Sequence, residues 1–214
     1  MSKKFEEMIL VAKRETLFKD DLTFQGVESE PLFIEGIKNR LANNIEVMRR
    51  GGEKDPTPKE NNAEINEEYK QPIPYVVIKR GNQVFGYTRL SGGGESRLHD
   101  KISLAYGGHM NETGDKDFES TLMTNLNREL EEELHIQSSS QKLNLIGLIN
   151  DDSGVGVFHL GLLYTLELDS EATIEVRERD QIGGFWLDVQ DLKNEDVYPK
   201  LESWSQFVAD LLVK

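Results

Sequence analysis

A glycine pair, Gly107-Gly108, stands ahead of the run Arg128-Glu129-Leu130-Glu131-Glu132-Glu133-Leu134, and this stretch constrains the fold more than any other. Leu122, Leu126, Leu130 and Leu134 recur every four residues, which predicts a helix with one apolar stripe. Asp117 is placed to cap its start. Glu129, Glu132 and Glu133 lie at i, i+3 and i+4, within an arc of roughly 100° beside that stripe. Three like charges so close repel one another. A hard divalent cation, which prefers carboxylate oxygen, gives a reason to keep them. A cation held by carboxylates on a helix suits phosphate chemistry. The competing reading is a solvated helix face on which Arg128 and the glutamates form salt bridges.

Composition narrows the function classes. The chain has 214 residues, enough for one domain or one domain with a sizeable extension. Its net charge of −14 repels a phosphate backbone, so no nucleic-acid partner is expected. A small phosphorylated substrate remains compatible where a cation and local Arg or Lys offset that repulsion. No apolar run approaches the ~18 residues of a membrane span, so no membrane partner is expected. There is no cysteine, which excludes a disulfide framework, a thiolate zinc site and a cysteine nucleophile. The first residues, Met1-Ser2-Lys3-Lys4-Phe5-Glu6-Glu7, lead into no signal-like apolar core, and the expected compartment is the cytoplasm.

Along the chain, Met8 to Ala12 reads as a strand, and Leu32 to Met48 as a helix with Ile37, Leu41 and Ile45 at helical spacing, ended by Gly51-Gly52. Residues 53–70 are polar, contain Pro56 and Pro58, and read as a long loop. Tyr75-Val76-Val77-Ile78 and Val84-Phe85-Gly86-Tyr87 form a hairpin. Ser91-Gly92-Gly93-Gly94 is not a P-loop, because no Gly-Lys-Ser/Thr follows. Ile102 to Tyr106 is a short strand ending at the glycine pair; Leu143–Ile149, Val155–Leu168 and Gly183–Leu187 are further strands, and 199–213 is an amphipathic helix. The expected fold class is α/β, a mixed sheet sandwiched by helices. Residues 1–71 are expected to form an N-terminal accessory region and 72–214 the catalytic domain.

On these residues the chain resembles the Nudix hydrolase family. The family's box reads Gly, five residues, Glu, seven residues, Arg-Glu-aliphatic-x-Glu-Glu-x-Gly-aliphatic. Gly108 matches the opening glycine, and Arg128, Glu129, Leu130, Glu132, Glu133 and Ile136 match the second half at the required spacing. Gly184-Phe185-Trp186-Leu187 resembles a late strand of the family, and the likeness covers about residues 72–213. The stretch between Gly108 and Arg128 is about six residues longer than the pattern. The first box glutamate falls on Ser120, with Glu119 next to it and Glu112 in the inserted loop, and the closing glycine is His135.

The resemblance implies a Nudix-like α/β/α sandwich and the hydrolysis of a nucleoside diphosphate linked to another group. It implies that Glu129, Glu132 and Glu133 hold Mg²⁺ or Mn²⁺, with a carbonyl of Gly107 or Gly108 as a further ligand, while Arg128 orients a glutamate. Water attack needs a carboxylate base in reach. A box glutamate or one of Glu175, Glu178 and Asp180 can serve, and Glu178 is preferred. Arg89, Arg97 and Lys101 are candidate phosphate contacts; as isolated cations they also read as ordinary surface residues. His109 and His159 either polarise substrate or fill space. An allylic-diphosphate isomerase on the same fold relies on a cysteine, which is absent here. The alternative is a non-catalytic nucleotide sensor with 1–71 as its interaction module. A homodimer is the default assembly, because closed two-fold pairs are common.

Overall fold

The computed structural model describes residues 3–19, 23–89, 101–177 and 182–213. In chain order the elements are β1 (Met8–Lys13), α1 (Arg14–Leu17), β2 (Gly26–Glu28), α2 (Pro31–Asn44), β3 (Glu46–Arg49), β4 (Tyr69–Arg80), β5 (Gln83–Arg89), β6 (Ile102–Ser103), β7 (Tyr106–Gly107), α3 (Phe118–Glu133), β8 (Leu134–Gln137), β9 (Gln141–Asn150), β10 (His159–Leu168), β11 (Thr173–Val176), β12 (Ile182–Asp188) and α4 (Ser203–Leu212). The main sheet has the hydrogen-bonding order β12-β5-β4-β10-β9-β2; β8 and β11 form a separate pair. This is the mixed α/β architecture expected from the sequence. No helix among the described residues is long and apolar enough to cross a membrane.

Two compact units divide the chain. The first takes its residues from Met1–Pro74, Gly108–Leu126 and Gly147–Leu162. There β1 pairs antiparallel with β3, Met8 opposite Arg49, and with the start of β4, Ala12 opposite Lys70. Ile9, Val11, Met48 and Ala63 form a buried cluster under these strands, with Tyr69 packed on it. The helix α2 turns Ile34, Ile37 and Leu41 inward. It stops at Asn44, short of the expected Met48. The Asn43 and Asn44 side chains donate back to the Asn39 and Arg40 carbonyls, each at 2.7 Å, while Ile45 is extended and Val47 and Met48 join β3. The strand expected from Val155 starts at His159. Gly154 takes φ 52° and residues 154–158 wind as a 3₁₀ turn, with Gly156 pressed on Asp151.

The second unit takes Tyr75–Gly107, Asn127–Ile146 and Leu163–Lys214. The expected hairpin is β4–β5, closed by Gly81-Asn82 with Gly81 at φ 57°. Ile102 to Tyr106 is two short strands because they have different partners: β6 pairs with β5, and β7 with β4. The helix α4 is anchored through Ser205, whose hydroxyl accepts from Leu104 N–H at 2.9 Å and meets the Tyr75 hydroxyl at 3.2 Å. Trp204 packs edge-on against Tyr75.

Candidate functional site

The box helix α3 begins where Asp117 accepts from Ser120 N–H at 2.8 Å. That bond holds the Asp117 carboxyl below its usual range. The stretch that lengthens the box is folded against the first half of the helix, within the first unit. Asn125 accepts from Asn111 N–H and donates to Asn111 O, both at 2.9 Å, and Asp115 accepts from Thr113 and Thr124 at 2.6 and 2.8 Å. Glu119 is bound by Lys38 of α2 at 2.6 Å, Ser120 lends its N–H to the cap, and Glu112 is exposed.

The other half of α3 lies in the second unit and carries the charged motif. Arg128 Nη2 is 2.7 Å from Glu129 Oε1, and its Nη1 reaches Glu132 Oε1 at 3.5 Å. These side chains are not equally wet: Glu129 is 14% exposed and Glu132 58%. Glu133 has one carboxylate oxygen, Oε2, closed to solvent. Leu130 and Leu134 of the predicted stripe are buried beside them. A wholly solvated acidic face would not withdraw Glu129 and part of Glu133 from water.

The helix ends without the family's glycine. Leu134 opens β8 directly, and His135 sits in β8 opposite Glu175 of β11. Arg177, next after β11, donates its N–H to Glu133 O at 2.8 Å and its Nε–H to Leu134 O at 3.0 Å. Carbonyls at the helix end that a left-handed glycine turn would otherwise satisfy are covered by this arginine.

Carboxylate oxygens alone make up the donor set on α3, which suits Mg²⁺ or Mn²⁺ rather than a softer metal. Among the described residues no three His, Asp or Glu side chains converge as a ligand cluster, and Arg128 takes one Glu129 oxygen. The residues therefore match a hard cation in donor type alone. Gly107 ends β7 in the second unit, and Gly108 belongs to the first.

The remaining expected site residues are spread out. Lys101 donates to Pro199 O at 3.1 Å. Arg89 is paired through its backbone with Ile182; its side chain, with Arg97, Glu178 and Asp180, lies outside the described residues. Glu175 is exposed on β11.

The first unit holds a polar cluster that sequence reasoning did not foresee. Lys70 is fully buried and lies 3.3 Å from both Asp152 Oδ1 and Gly156 O, while Arg14 binds the other Asp152 oxygen at 2.5 Å. Burial brings the Lys70 ammonium down to about 8. Nearby, Arg50 binds Glu7 and Glu64 at 2.8 and 2.9 Å, His109 lies 3.8 Å from Glu64, and the His109 and His159 rings meet edge-on at 5.5 Å. Burial pushes His159 below its usual range, against the opposing pull of Glu64. Most of these groups lie far apart in sequence, so no local spacing announces them.

No family model matches the chain. It is 49% identical over 213 residues to Protein YmaB of Bacillus subtilis (strain 168), covering 98% of both chains. In structure it is similar to Tm1382, a candidate Nudix hydrolase, with a TM-score of 0.72 and 27% identity over 97% of this chain and 98% of that one. With the strand, glycine pair and glutamate helix in place, the structural likeness shows that the chain belongs to the Nudix hydrolase family.

Proposed function

We propose that the chain hydrolyses a phosphoanhydride, in a nucleoside diphosphate linked to another group, by water attack at phosphorus and with the help of Mg²⁺ or Mn²⁺. The observation that carries this reading is the withdrawal of Glu129 and one Glu133 oxygen from solvent on the charged face of α3. Arg128 offsets part of the charge on Glu129, and a bound cation would add to that. Glu129, Glu132 and Glu133 would hold the ion, with the Gly107 carbonyl as a further ligand. Once bound, it would neutralise the diphosphate and make water more acidic.

The protein's own groups do the rest. Arg128 fixes Glu129 by the 2.7 Å contact, so one rotamer is prepared. Glu178 is the proposed base that takes the proton of the attacking water. Arg89, Arg97 and Lys101 are the proposed contacts to phosphate oxygens. The substrate is a small nucleotide derivative rather than a nucleic acid, residues 1–71 contribute to its selection, and the working assembly is a homodimer in the cytoplasm.

The test is phosphate release by the full chain with and without Mg²⁺, compared with Glu129→Gln. Metal-dependent turnover that falls at least about a hundredfold in the variant supports the reading. Equal turnover by the variant overturns it.

A further inference from the structure

Three donors from distant parts of the first unit converge on one carboxylate, that of Asp152. Arg14, at the start of α1, sets Nη2 2.5 Å from Oδ2. Lys70, on β4, brings Nζ to 3.3 Å from Oδ1, and Asn150, the last residue of β9, donates from Nδ2 to the same oxygen at 3.3 Å. The Lys70 side chain is closed to solvent, whereas that of Asp152 is 37% exposed.

Asp152 satisfies this ring of donors poorly. Both contacts of the Lys70 ammonium, to Asp152 Oδ1 and to Gly156 O, are 3.3 Å, longer than the roughly 2.7–2.9 Å of a good charge-assisted bond. Burial outweighs Asp152 and brings the ammonium down to about 8. Two cations face one carboxylate here, because the neighbouring Asp151 turns Oδ1 to Gln25 and the Ser153 hydroxyl at 2.9 and 2.6 Å. The buried Asn150 Oδ1 has no hydrogen-bond partner among the described residues. Hydrogen phosphate carries two negative charges and one O–H. It matches in kind two cations, an amide donor and an orphan acceptor.

We propose that Asp152 is an internal stand-in for an oxyanion, and that inorganic phosphate binds to Arg14, Lys70 and the Asn150 amide when the Asp152 carboxylate turns out to solvent. Only the side chain has to move, since the Asp152 N–H is held by Gln25 Oε1 at 3.0 Å. The site requires nothing of the α3 carboxylates, so its failure and that of the hydrolase reading are separate results.

The experiment measures binding of inorganic phosphate, and separately of AMP, by calorimetry on the full chain as wild type, Asp152→Asn and Lys70→Met. Melting temperatures report folding. Asp152→Asn keeps the side-chain size and removes the competing charge, so it is expected to bind phosphate at least about tenfold more tightly than wild type. Lys70→Met is expected to show no phosphate binding. Equal affinity in wild type and Asp152→Asn, or no binding in either, overturns the proposal. Binding that survives Lys70→Met unchanged also overturns it, by placing the anion elsewhere. Should Asp152→Asn fail to fold, wild type against Lys70→Met decides: binding lost in Lys70→Met supports the site, and equal or absent binding overturns it. AMP following the same order of variants supports the site with a nucleotide phosphoryl group as its source, and phosphate binding without AMP binding supports it with free phosphate.

Discussion

Arg177 closes the helix that carries Glu133: its N–H donates to the Glu133 carbonyl at 2.8 Å, and its guanidinium to the Leu134 carbonyl at 3.0 Å. Arg177→Ala keeps the backbone bond and loses the other. It is expected to lower stability by about 1 kcal/mol, read by urea denaturation. A variant as stable as wild type would remove Arg177 from this role.

The same relationship predicts an unusual outcome for the family's own residue. His135 lies in a strand opposite Glu175, not at a left-handed helix end. His135→Gly, which restores the box, is therefore expected to destabilise by about 0.5–1 kcal/mol. Stabilisation would show that the helix end favours a glycine turn after all.

Parts of the fold were legible because their signals are local. Gly81-Asn82 between two β-rich runs marked the β4–β5 hairpin, and Asp117 with the leucine stripe marked α3. The helix near residue 40 was overextended because Val47 and Met48 fit an apolar spacing, while their true partner, β1, lies far upstream. On α3 the glutamates and Arg128 were legible, since one helix sets their geometry. Tyr106, Arg177 and Lys70 were not: each acquires its setting from strands distant in sequence.

The insertion in the box hangs on Asn125, which is fully buried and bonds both the N–H and the carbonyl of Asn111. Asn125→Ala leaves those groups without that partner and is expected to cost about 2 kcal/mol. Chemical denaturation checks it, and a loss below about 0.5 kcal/mol would mean that the loop is held elsewhere.

Lys70 makes a pH prediction. Burial lowers its folded value from 10.5 to about 8, so between those limits the unfolded chain binds more protons than the folded one. Stability contributed by this group therefore rises as pH climbs from about 8 towards 10.5, by up to about 3 kcal/mol. Denaturation at pH 7.5 and 9.5 should show the rise in wild type and a flatter profile in Lys70→Met. The same rise in both proteins would contradict it.

Asp169 tests the acid side. It accepts from the Ser138 and Ser139 hydroxyls at 2.6 and 2.9 Å and from the backbone N–H groups of Ser139, Ser140 and Glu171, and these bonds, that of Ser138 first, hold its carboxyl far below the usual range. Its contribution is present above the ordinary carboxylate value of 3.8 and is lost as pH falls below it. The gap in melting temperature between wild type and Asp169→Asn should shrink from pH 6 to pH 2.5. A gap that stays constant would contradict the assignment.

Metal-dependent hydrolysis at the α3 carboxylates can be tested on the reaction itself. The most direct measurement is product release from a panel of nucleoside triphosphates, ADP-ribose, dinucleoside polyphosphates, sugar nucleotides and dinucleotide cofactors. Wild type and Glu133→Gln would be compared in Mg²⁺ and in chelator. Turnover of one substrate class is expected in Mg²⁺, abolished by chelator and reduced at least about a hundredfold in Glu133→Gln. Turnover that survives chelation or the substitution would contradict it, as would tight nucleotide binding with no turnover, which would make the chain a sensor.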